Sequence, residues 1–547
     1  MRLRATVVAG VLLVGGCTSS ASGRNEPRSD AQAATSAPDA AFTLAADAEA
    51  VTAALAMSRA LFDAADVAVV ARDGDAAGVL LAASAAVGLG VPLLLQPAAG
   101  DPADELATEL ARLRTTTVLA VGGAEVVPAE GAVVAVPAAP DAVASAAGLE
   151  WSAIESTPED GLAAAVAALD GEAPVALQPE GGAAPEGRTG GDPGDVPGVT
   201  RAPALTGTLV LAEEGVESLA GIATARAAGA RVVLAGGDTD PRASGNVIEA
   251  LSEDRPESVV VLGAAFGLEE GLEWKLATAA TGTQLPGGGQ LLFPGRMLVA
   301  LYGHPGTGAL GVMGEQPLDT AIERARVQAA LYEPLTDATV VPAFEIIATV
   351  ASSSAGADGN YSAEADPQVL RPWVEAAREA GLYVVLDLQP GRTDFVSQAE
   401  QYRSLLELPH VGLALDPEWR LGPDEVHLTQ IGSVDVEEVN RVVTWLANLT
   451  RENALPQKLL LLHQFRLDML PGRERVDTSR DELAVMIHAD GQGSQGNKQA
   501  TWRALHESAP PGLFWGWKNF YDEDQPMLTP EETIGQVDPL PELVSYQ

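Results

Sequence analysis

Apolar and polar positions follow a repeating pattern in the last third of the chain, from Leu291 to Gln547. Short apolar runs recur there, and most of them end in a charged or polar residue; the run from Tyr383 to Leu386, for example, ends at Asp387. Segments of helical length and period separate most of these runs. Strands that alternate with helices predict a parallel sheet that the helices cover.

This repeat predicts a barrel over residues 291–547. Seven or eight strand–helix units in about 250 residues fit a (β/α)8-type barrel. The eighth strand is marked only weakly, by the residues from Pro541 to Tyr546, so an incomplete or seven-stranded barrel is the alternative. In this architecture the carboxyl ends of the strands form the face that carries the active site. The other predicted strands cover residues 297–302, 340–347, 383–386, 411–415, 459–462, 483–487 and 512–517.

Polar side chains at these strand ends are the candidate site residues. Alternate residues of a strand share a face, so acidic residues from neighbouring strand ends meet in one basin. Two carboxylates that flank a bond can act as acid and base, or as acid and nucleophile, as glycoside hydrolysis requires. The predicted catalytic carboxylates are Asp387, Asp416, Glu418, Glu345 and Asp490. The predicted substrate-binding residues are Tyr302, His304, His463, Gln464, Trp517, Lys518, Tyr521 and Asp522.

Two alternatives to carboxylate catalysis stay open for these strand ends. One is a structural role, because an Asp at a strand end often caps the next helix. The other is a metal site, since His304, His463 and His488 follow different strands, and imidazole and carboxylate ligands bind divalent ions that activate water. The carboxylate hypothesis itself requires no metal and no cofactor. The barrel resembles glycoside hydrolases in architecture only, because no motif of such a family is matched.

Two upstream blocks, residues 42–177 and 204–290, repeat the strand–helix pattern with almost continuously apolar strands. Such strands predict Rossmann-like, doubly wound modules, the second being a degenerate copy of the first. A Gly- and Pro-rich linker over residues 178–203 separates the blocks. The first block is expected to open with a helix over residues 44–62. Whether the two blocks share one sheet or pack as a pair is left open.

The first block also carries recognisable motifs. It contains the stretch VAVVARDGDAAGVLLAASAAVGLGVPLLLQ, which begins at Val67, and TTVLAVGG, which ends at Gly123. A strand followed by Asp-Gly, the Gly-Val-Pro-Leu-Leu-Leu segment and the Gly-Gly that ends a strand resemble the cell wall-binding repeat 2 family. The resemblance implies a small Rossmann-like module that holds a surface protein on an anionic wall polymer.

The N-terminus has the features of a signal sequence. Arg2 and Arg4 precede a short apolar stretch, and Val-Gly-Gly-Cys ends at Cys17 before a polar segment. Residues 1–17 thus resemble a bacterial lipoprotein signal peptide with its lipobox, which implies cleavage before Cys17 and lipidation of its sulfur. An ordinary secretory signal with an incidental cysteine is the alternative. Residues 18–41, rich in Ser, Ala, Asp, Pro and Gly, are predicted to be a disordered tether.

Composition limits the partners of the chain. Its 547 residues include 75 acidic and 33 basic residues, for a net charge of −42. This charge argues against nucleic acid, which requires a basic patch, and against broad electrostatic docking on anionic lipid. Cys17 is the single cysteine, so the mature fold uses no disulfide and no thiolate zinc site.

Three functions follow from these observations. The first is a lipoprotein on the outer face of the bacterial cell membrane whose barrel hydrolyses or binds cell-envelope carbohydrate by carboxylate acid–base chemistry. The second is a non-catalytic cell wall-binding lipoprotein, and the third is a metal-dependent hydrolase. The partner in each case is a cell-envelope glycan or polymer, and the lipid on Cys17 provides the membrane anchor. The sequence pattern leaves the oligomeric state open.

Overall fold

The computed structural model describes residues 30–98, 103–126, 131–181 and 195–547. The predicted signal peptide with Cys17 and the tether residues 18–29 lie outside these ranges, as do residues 182–194 of the predicted linker. Within the described ranges, no helix has the length and apolar character needed to cross a bilayer.

The N-terminal region, up to residue 279, is an α/β structure. Its strands are β1 (Ala31–Thr35), β2 (Phe42–Ala45), β3 (Phe62–Ala65), β4 (Val67–Arg72), β5 (Leu93–Gln96), β6 (Thr117–Val121), β7 (Ala132–Val136), β8 (Ala153–Thr157), β9 (Val175–Pro179), β10 (Val199–Thr200), β11 (Thr208–Ala212), β12 (Arg231–Leu234) and β13 (Ser258–Leu262). Its helices are α1 (Ala50–Leu61), α2 (Ala76–Leu89), α3 (Ala103–Leu113), α4 (Pro140–Ala147), α5 (Leu162–Ala167), α6 (Leu219–Ala227), α7 (Gly245–Asp254) and α8 (Leu272–Ala279).

Two four-stranded parallel sheets organise this region, with strand orders β5-β4-β6-β7 and β12-β11-β13-β2. Helix α6 packs against both α1 and α2, all three helices contact these sheets, and one hydrophobic core contains residues of both sheets. The predicted Rossmann-like parallel sheets are therefore confirmed. The two blocks pack as a pair of sheets around shared helices rather than forming one sheet.

Two segments near the start differ from the expectation. Strand β2 occupies the beginning of the predicted helix over residues 44–62, and α1 starts only at Ala50. Strand β2 pairs with β13, so the first block supplies a strand to the sheet of the second. Local helix propensity cannot predict such a long-range pairing. Strand β1, within the predicted tether, pairs with β3 and β10.

The C-terminal part is a closed barrel. Its strands are β14 (Arg296–Gly303), β15 (Thr339–Ala351), β16 (Ser362–Glu364), β17 (Tyr383–Leu388), β18 (Val411–Leu415), β19 (Lys458–Gln464), β20 (Leu483–Ala489), β21 (Phe514–Asn519) and β22 (Leu543–Tyr546). The helices around it are α9 (Leu318–Ala330), α10 (Pro367–Glu379), α11 (Phe395–Gln401), α12 (Arg403–Leu406), α13 (Val436–Glu452), α14 (Gln495–His506) and α15 (Pro530–Gln536).

Eight parallel strands close the ring in the order β14-β15-β17-β18-β19-β20-β21-β22, and β22 pairs with β14. The weakly marked eighth strand is thus present, and the (β/α)8-type barrel is confirmed as complete. Strand β16 pairs antiparallel with the end of β15 and lies outside this ring. The interior of the barrel contains a separate apolar cluster, which includes Leu298, Ala343, Val385 and Leu461.

Candidate functional site

The inner face of the barrel changes from apolar to polar at the carboxyl ends of its strands. Ala300, Ala343, Val385 and Leu461 belong to the apolar interior cluster. Because side chains alternate between the two faces of a strand, the residues two positions later also point inward. These residues and their equivalents on the other strands form what we call the polar layer: Tyr302, Glu345, Asp387, Asp416, His463, His488, Lys518 and Ser545.

His463 lies at the centre of the polar layer. Its Nε2 is 2.8 Å from Glu345 Oε1 and 3.7 Å from Asp387 Oδ1. Its Nδ1 is hydrogen-bonded to Asp490 Oδ2 at 2.9 Å. Burial disfavours the charged imidazolium, but Glu345, Asp490 and Asp387 together raise the pKa of His463 well above its usual value. Carboxylates from three other strands or strand ends therefore surround this imidazole ring.

His488 and Glu345 complete one side of this cluster. His488 Nδ1 is 3.8 Å from Glu345 Oε1, and its Nε2 is hydrogen-bonded to the Ser545 hydroxyl at 3.0 Å. Burial lowers the pKa of His488 to about 3, so this imidazole is neutral at physiological pH. Burial alone would raise the pKa of Glu345, but His463 and His488 bring it below its usual value.

Tyr302, Asp387 and Lys518 form the opposite side. The Tyr302 hydroxyl donates a hydrogen bond to Asp387 Oδ2 at 2.9 Å, and Lys518 Nζ lies 3.5 Å from the centroid of the Tyr302 ring. Burial and the charge of Glu345 raise the pKa of Asp387 to about 6, although His463 opposes this shift. Burial and the neighbouring carboxylates also raise the pKa of Tyr302 well above 10, so its hydroxyl remains a donor.

A cleft of about 560 Å³ opens above the polar layer. Burial and the charge of Asp490 raise the pKa of Glu418 to about 7. Burial raises the pKa of Asp416 well above its usual value, and Asp387 and Asp490 add to this effect. Burial also tends to raise the pKa of Asp490, but the hydrogen bond with His463 brings this pKa below its usual value. Residues that line the cleft include Tyr302, Gln389, Asp416, Glu418, Trp419, Phe465, Asp490, Lys518 and Phe520.

Six of the predicted substrate-binding residues do not line this cleft. His463 is one of them, because it is fully buried in the polar layer. Gln464 follows the inward-facing His463, and Trp517 precedes the inward-facing Lys518, so both side chains point outward. Gln464 accepts a hydrogen bond from Arg473, and Trp517 packs against Trp502 in the outer core. His304 lies in the loop after β14, where its Nδ1 accepts from the Gly306 amide. Tyr521 and Asp522 are exposed beyond the end of β21.

The sequence interpretation missed several residues that shape the site. Ser545 holds His488, Gln389 Nε2 approaches the Tyr302 hydroxyl at 3.4 Å, and Phe465 and Phe520 line the cleft. The signal for Ser545 was a polar residue inside the apolar run Leu543–Tyr546, at an inward-facing position of the last strand. Among the predicted metal ligands, the structure brings His463 and His488 together but leaves His304 outside the polar layer.

Comparisons with known proteins give little further information. No protein-family model matches the chain, and a search of curated proteins finds no match. Among solved structures, the chain is similar to the cell wall proteins Cwp8 and Cwp6 from Clostridium difficile. Cwp8 has a TM-score of 0.31 and 16% identity over 45% of this chain and 53% of its own. Cwp6 has a TM-score of 0.32 and 13% identity over 64% of this chain and 63% of its own.

The chain thus spans just over half to somewhat under two thirds of the length of these two structures. Similarities with such low TM-scores carry no argument about its fold or activity.

Proposed function

We propose that the barrel is a hydrolase of cell-envelope carbohydrate that uses carboxylates as acid and base. The observation that carries this proposal is the meeting of Asp416 and Glu418 in one cleft at the carboxyl end of a closed barrel, where active sites of this architecture lie. Trp419 and Phe520 line the same cleft and offer apolar faces to a sugar ring. The sequence resemblance of the first block to the cell wall-binding repeat 2 family supports a wall polymer as the substrate.

The two carboxylates have different roles in this proposal. Burial and the neighbouring carboxylates raise the pKa of Asp416, which favours its protonated form, so it can give a proton to the leaving oxygen as general acid. Glu418 is only half-buried, faces the cleft and titrates at about 7, so it can take a proton from water as general base. Asp387 lies beneath them and positions Tyr302 and His463 rather than facing the cleft.

Release of reducing ends from purified wall glycan tests this proposal. We expect Asp416→Asn and Glu418→Gln each to lower turnover by about 100-fold or more while glycan binding persists, because acid–base catalysis contributes about this much. Glu400→Gln is the matched control, since Glu400 is an exposed carboxylate on α11. If the wild-type chain binds several wall polymers but cleaves none, the non-catalytic binding function replaces the hydrolase.

The membrane anchor is a separate proposal that the lipobox-like sequence supports. Lipidation of Cys17 would hold the protein on the outer face of the cell membrane. We expect the wild-type protein to partition into the detergent phase of a cell extract. The Cys17→Ala variant should partition into the aqueous phase. A wild-type protein found in the aqueous phase would rule out the anchor.

A further inference from the structure

Three atoms of the polar layer face one another at distances that suit ligands of one ion. Glu345 Oε1, His463 Nε2 and His488 Nδ1 all lie within 4.8 Å of one another, and their three side chains are completely buried. Glu345 Oε1 is 2.8 Å from His463 Nε2 and 3.8 Å from His488 Nδ1. Ligand atoms that are each about 2.0–2.2 Å from a shared zinc ion are separated by about 3–3.5 Å, which is within this range.

These atoms lack hydrogen-bond partners within the described part of the protein. Neither oxygen of Glu345 makes a hydrogen bond, and the same holds for His463 Nε2 and His488 Nδ1. Glu345 Oε1 and His463 Nε2 are 2.8 Å apart and form an ion-pair contact. Buried polar atoms without partners are rare because each costs about 1–3 kcal/mol. Three of these atoms, Glu345 Oε1, His463 Nε2 and His488 Nδ1, lie close together and indicate a ligand between them.

The remaining nitrogen of each histidine is held by a neighbour. His463 Nδ1 is bonded to the Asp490 carboxylate, and His488 Nε2 is bonded to the Ser545 hydroxyl. A metal-binding histidine almost always donates its other ring N–H to such a group, which fixes the ring and its tautomer. Both histidines therefore present their unpaired nitrogen to Glu345 in a defined orientation.

Among the described residues, the carboxylates around these atoms outnumber the one nearby ammonium, that of Lys518, and this favours a cation. Glu345, Asp387 and Asp490 bring carboxylates within 4 Å of His463. Asp387 Oδ1, 3.7 Å from His463 Nε2, also makes no hydrogen bond and supplies a further oxygen on the same side. Two imidazoles with carboxylate oxygens are the donor set of divalent transition-metal ions such as zinc.

We propose that Glu345, His463 and His488 bind one divalent transition-metal ion at the floor of the cleft. An ion with three protein ligands keeps a position for water, and a bound water of lowered pKa is a nucleophile at neutral pH. The proposal rests on the ligand geometry and does not depend on carbohydrate hydrolysis. The alternative for the same geometry is a charged His463 that bridges Glu345 and Asp490 without an ion.

Metal uptake by the purified full chain tests this inference. The protein is stripped with a chelator, incubated separately with Zn²⁺, Co²⁺, Mn²⁺ or Ni²⁺, passed through a desalting column and analysed for bound metal by mass spectrometry. We expect one equivalent of Zn²⁺ or Co²⁺ per chain, visible absorption bands of the cobalt form, and a higher melting temperature with the ion than without it. A stripped wild-type chain that retains none of the four ions overturns the inference.

Variants connect the uptake to these residues. Glu345→Gln, His463→Ala and His488→Ala are expected to weaken Co²⁺ binding by more than about 100-fold, and Asp490→Asn by about 10–100-fold through loss of the outer partner of His463. His304→Ala is the matched control, because His304 lies outside the polar layer and should bind as the wild type does. Uptake that is unchanged in both His463→Ala and His488→Ala would place the ion elsewhere and contradict the proposal.

Two features separate a negative result for metal binding from misfolding of a variant and from failure of the proposed hydrolysis. Circular dichroism of each variant shows whether it folds, and Asp490→Asn retains all three ligands if one of the other variants does not fold. Ion uptake is measured without substrate, so a chain that binds Zn²⁺ but cleaves no wall glycan supports this inference and contradicts the proposed hydrolysis.

Discussion

Asp416 and Glu418 are two residues apart in the sequence but have different surroundings. Asp416 is 3% exposed and lies among Asp387, Asp490 and His463, whereas Glu418 is half-buried at the wall of the cleft. Asp416 Oδ1 accepts a hydrogen bond from the Glu418 amide at 3.2 Å, which fixes the short turn between them. A difference of this kind assigns one carboxyl group as acid and the other as base.

The pH dependence of turnover follows from Glu418. A general base must be ionised, and the pKa of Glu418 is raised to about 7 by burial and by Asp490, against the opposing charges of Lys518 and His463. We therefore expect kcat/KM to fall about tenfold per pH unit as the pH decreases below about 7. The measurement is the pH profile of reducing-end release by the wild type. In Glu418→Gln this acid limb should disappear from the residual rate, and a limb that persists would assign the titration to another group.

The strands of the barrel show which features of the site the sequence contains. Alternation along a strand places Asp387, His463 and Lys518 inside, and the structure agrees for each of them. The same rule excludes Gln464 next to His463 and Trp517 next to Lys518, so those two predictions conflicted with the pattern that supported their neighbours. The residues of the polar layer were therefore predictable, but their pairing was not. Which carboxylate meets which histidine depends on the register between strands that are far apart in the sequence.

The last strand, β22, closes the ring although its sequence signal is short. Leu543 is fully buried in the interior cluster and pairs with both β14 and β21, whereas Leu540, just before the strand, is 42% exposed. We expect Leu543→Ala to lower the free energy of unfolding by about 2–5 kcal/mol, since it creates a cavity beneath the polar layer. Urea unfolding measures this change. Leu540→Ala is the matched control and should change stability by less than about 0.5 kcal/mol; equal effects would show that β22 does not contribute to closure.

At the scale of the whole molecule, an ionic contact between a buried lysine and a half-exposed aspartate joins the N-terminal region to the barrel. Lys275 on α8 is 2% exposed, and its Nζ lies 2.5 Å from Asp481 Oδ2, just before β20. Arg242 donates to the Asp481 carbonyl at 3.1 Å, and its guanidinium lies 4.4 Å from the centroid of the Trp274 ring. Burial disfavours the ammonium, but the pKa of Lys275 is still raised because Asp481, Glu269 and Asp240 surround it.

Loss of Lys275 should therefore weaken this junction. We expect Lys275→Ala to lower the free energy of unfolding by about 1–2 kcal/mol, because Glu269 and Asp240 lose a buried cation, whereas water screens the half-exposed Asp481. Calorimetry and limited proteolysis of the full chain measure the change, with new cleavage expected between α8 and β14. Arg231→Ala, which removes a partly exposed partner of Asp254, is the control and should change stability by about 0–1 kcal/mol. An effect no larger than that of the control would mean that the apolar contacts alone hold the junction.

The fold classes along the chain were predictable from apolar periodicity, and the contacts between distant segments were not. The alternation of strands and helices correctly predicted parallel sheets followed by a barrel. The placement of β2 beside β13 and of Lys275 beside Asp481 involves residues more than 200 positions apart. No local pattern contains such contacts, so the sequence alone could not show that β2 completes the sheet of the second block.

The central claim is that Asp416 and Glu418, two carboxylates that line the cleft, catalyse hydrolysis of a wall glycan. The most direct measurement is kcat/KM for release of reducing ends by the wild type, Asp416→Asn, Glu418→Gln and Glu400→Gln on the same purified glycan at pH 8. The account predicts turnover by the wild type and Glu400→Gln, and losses of about 100-fold or more in the other two. Equal rates in all four proteins, or no release by the wild type from any wall polymer, would contradict it.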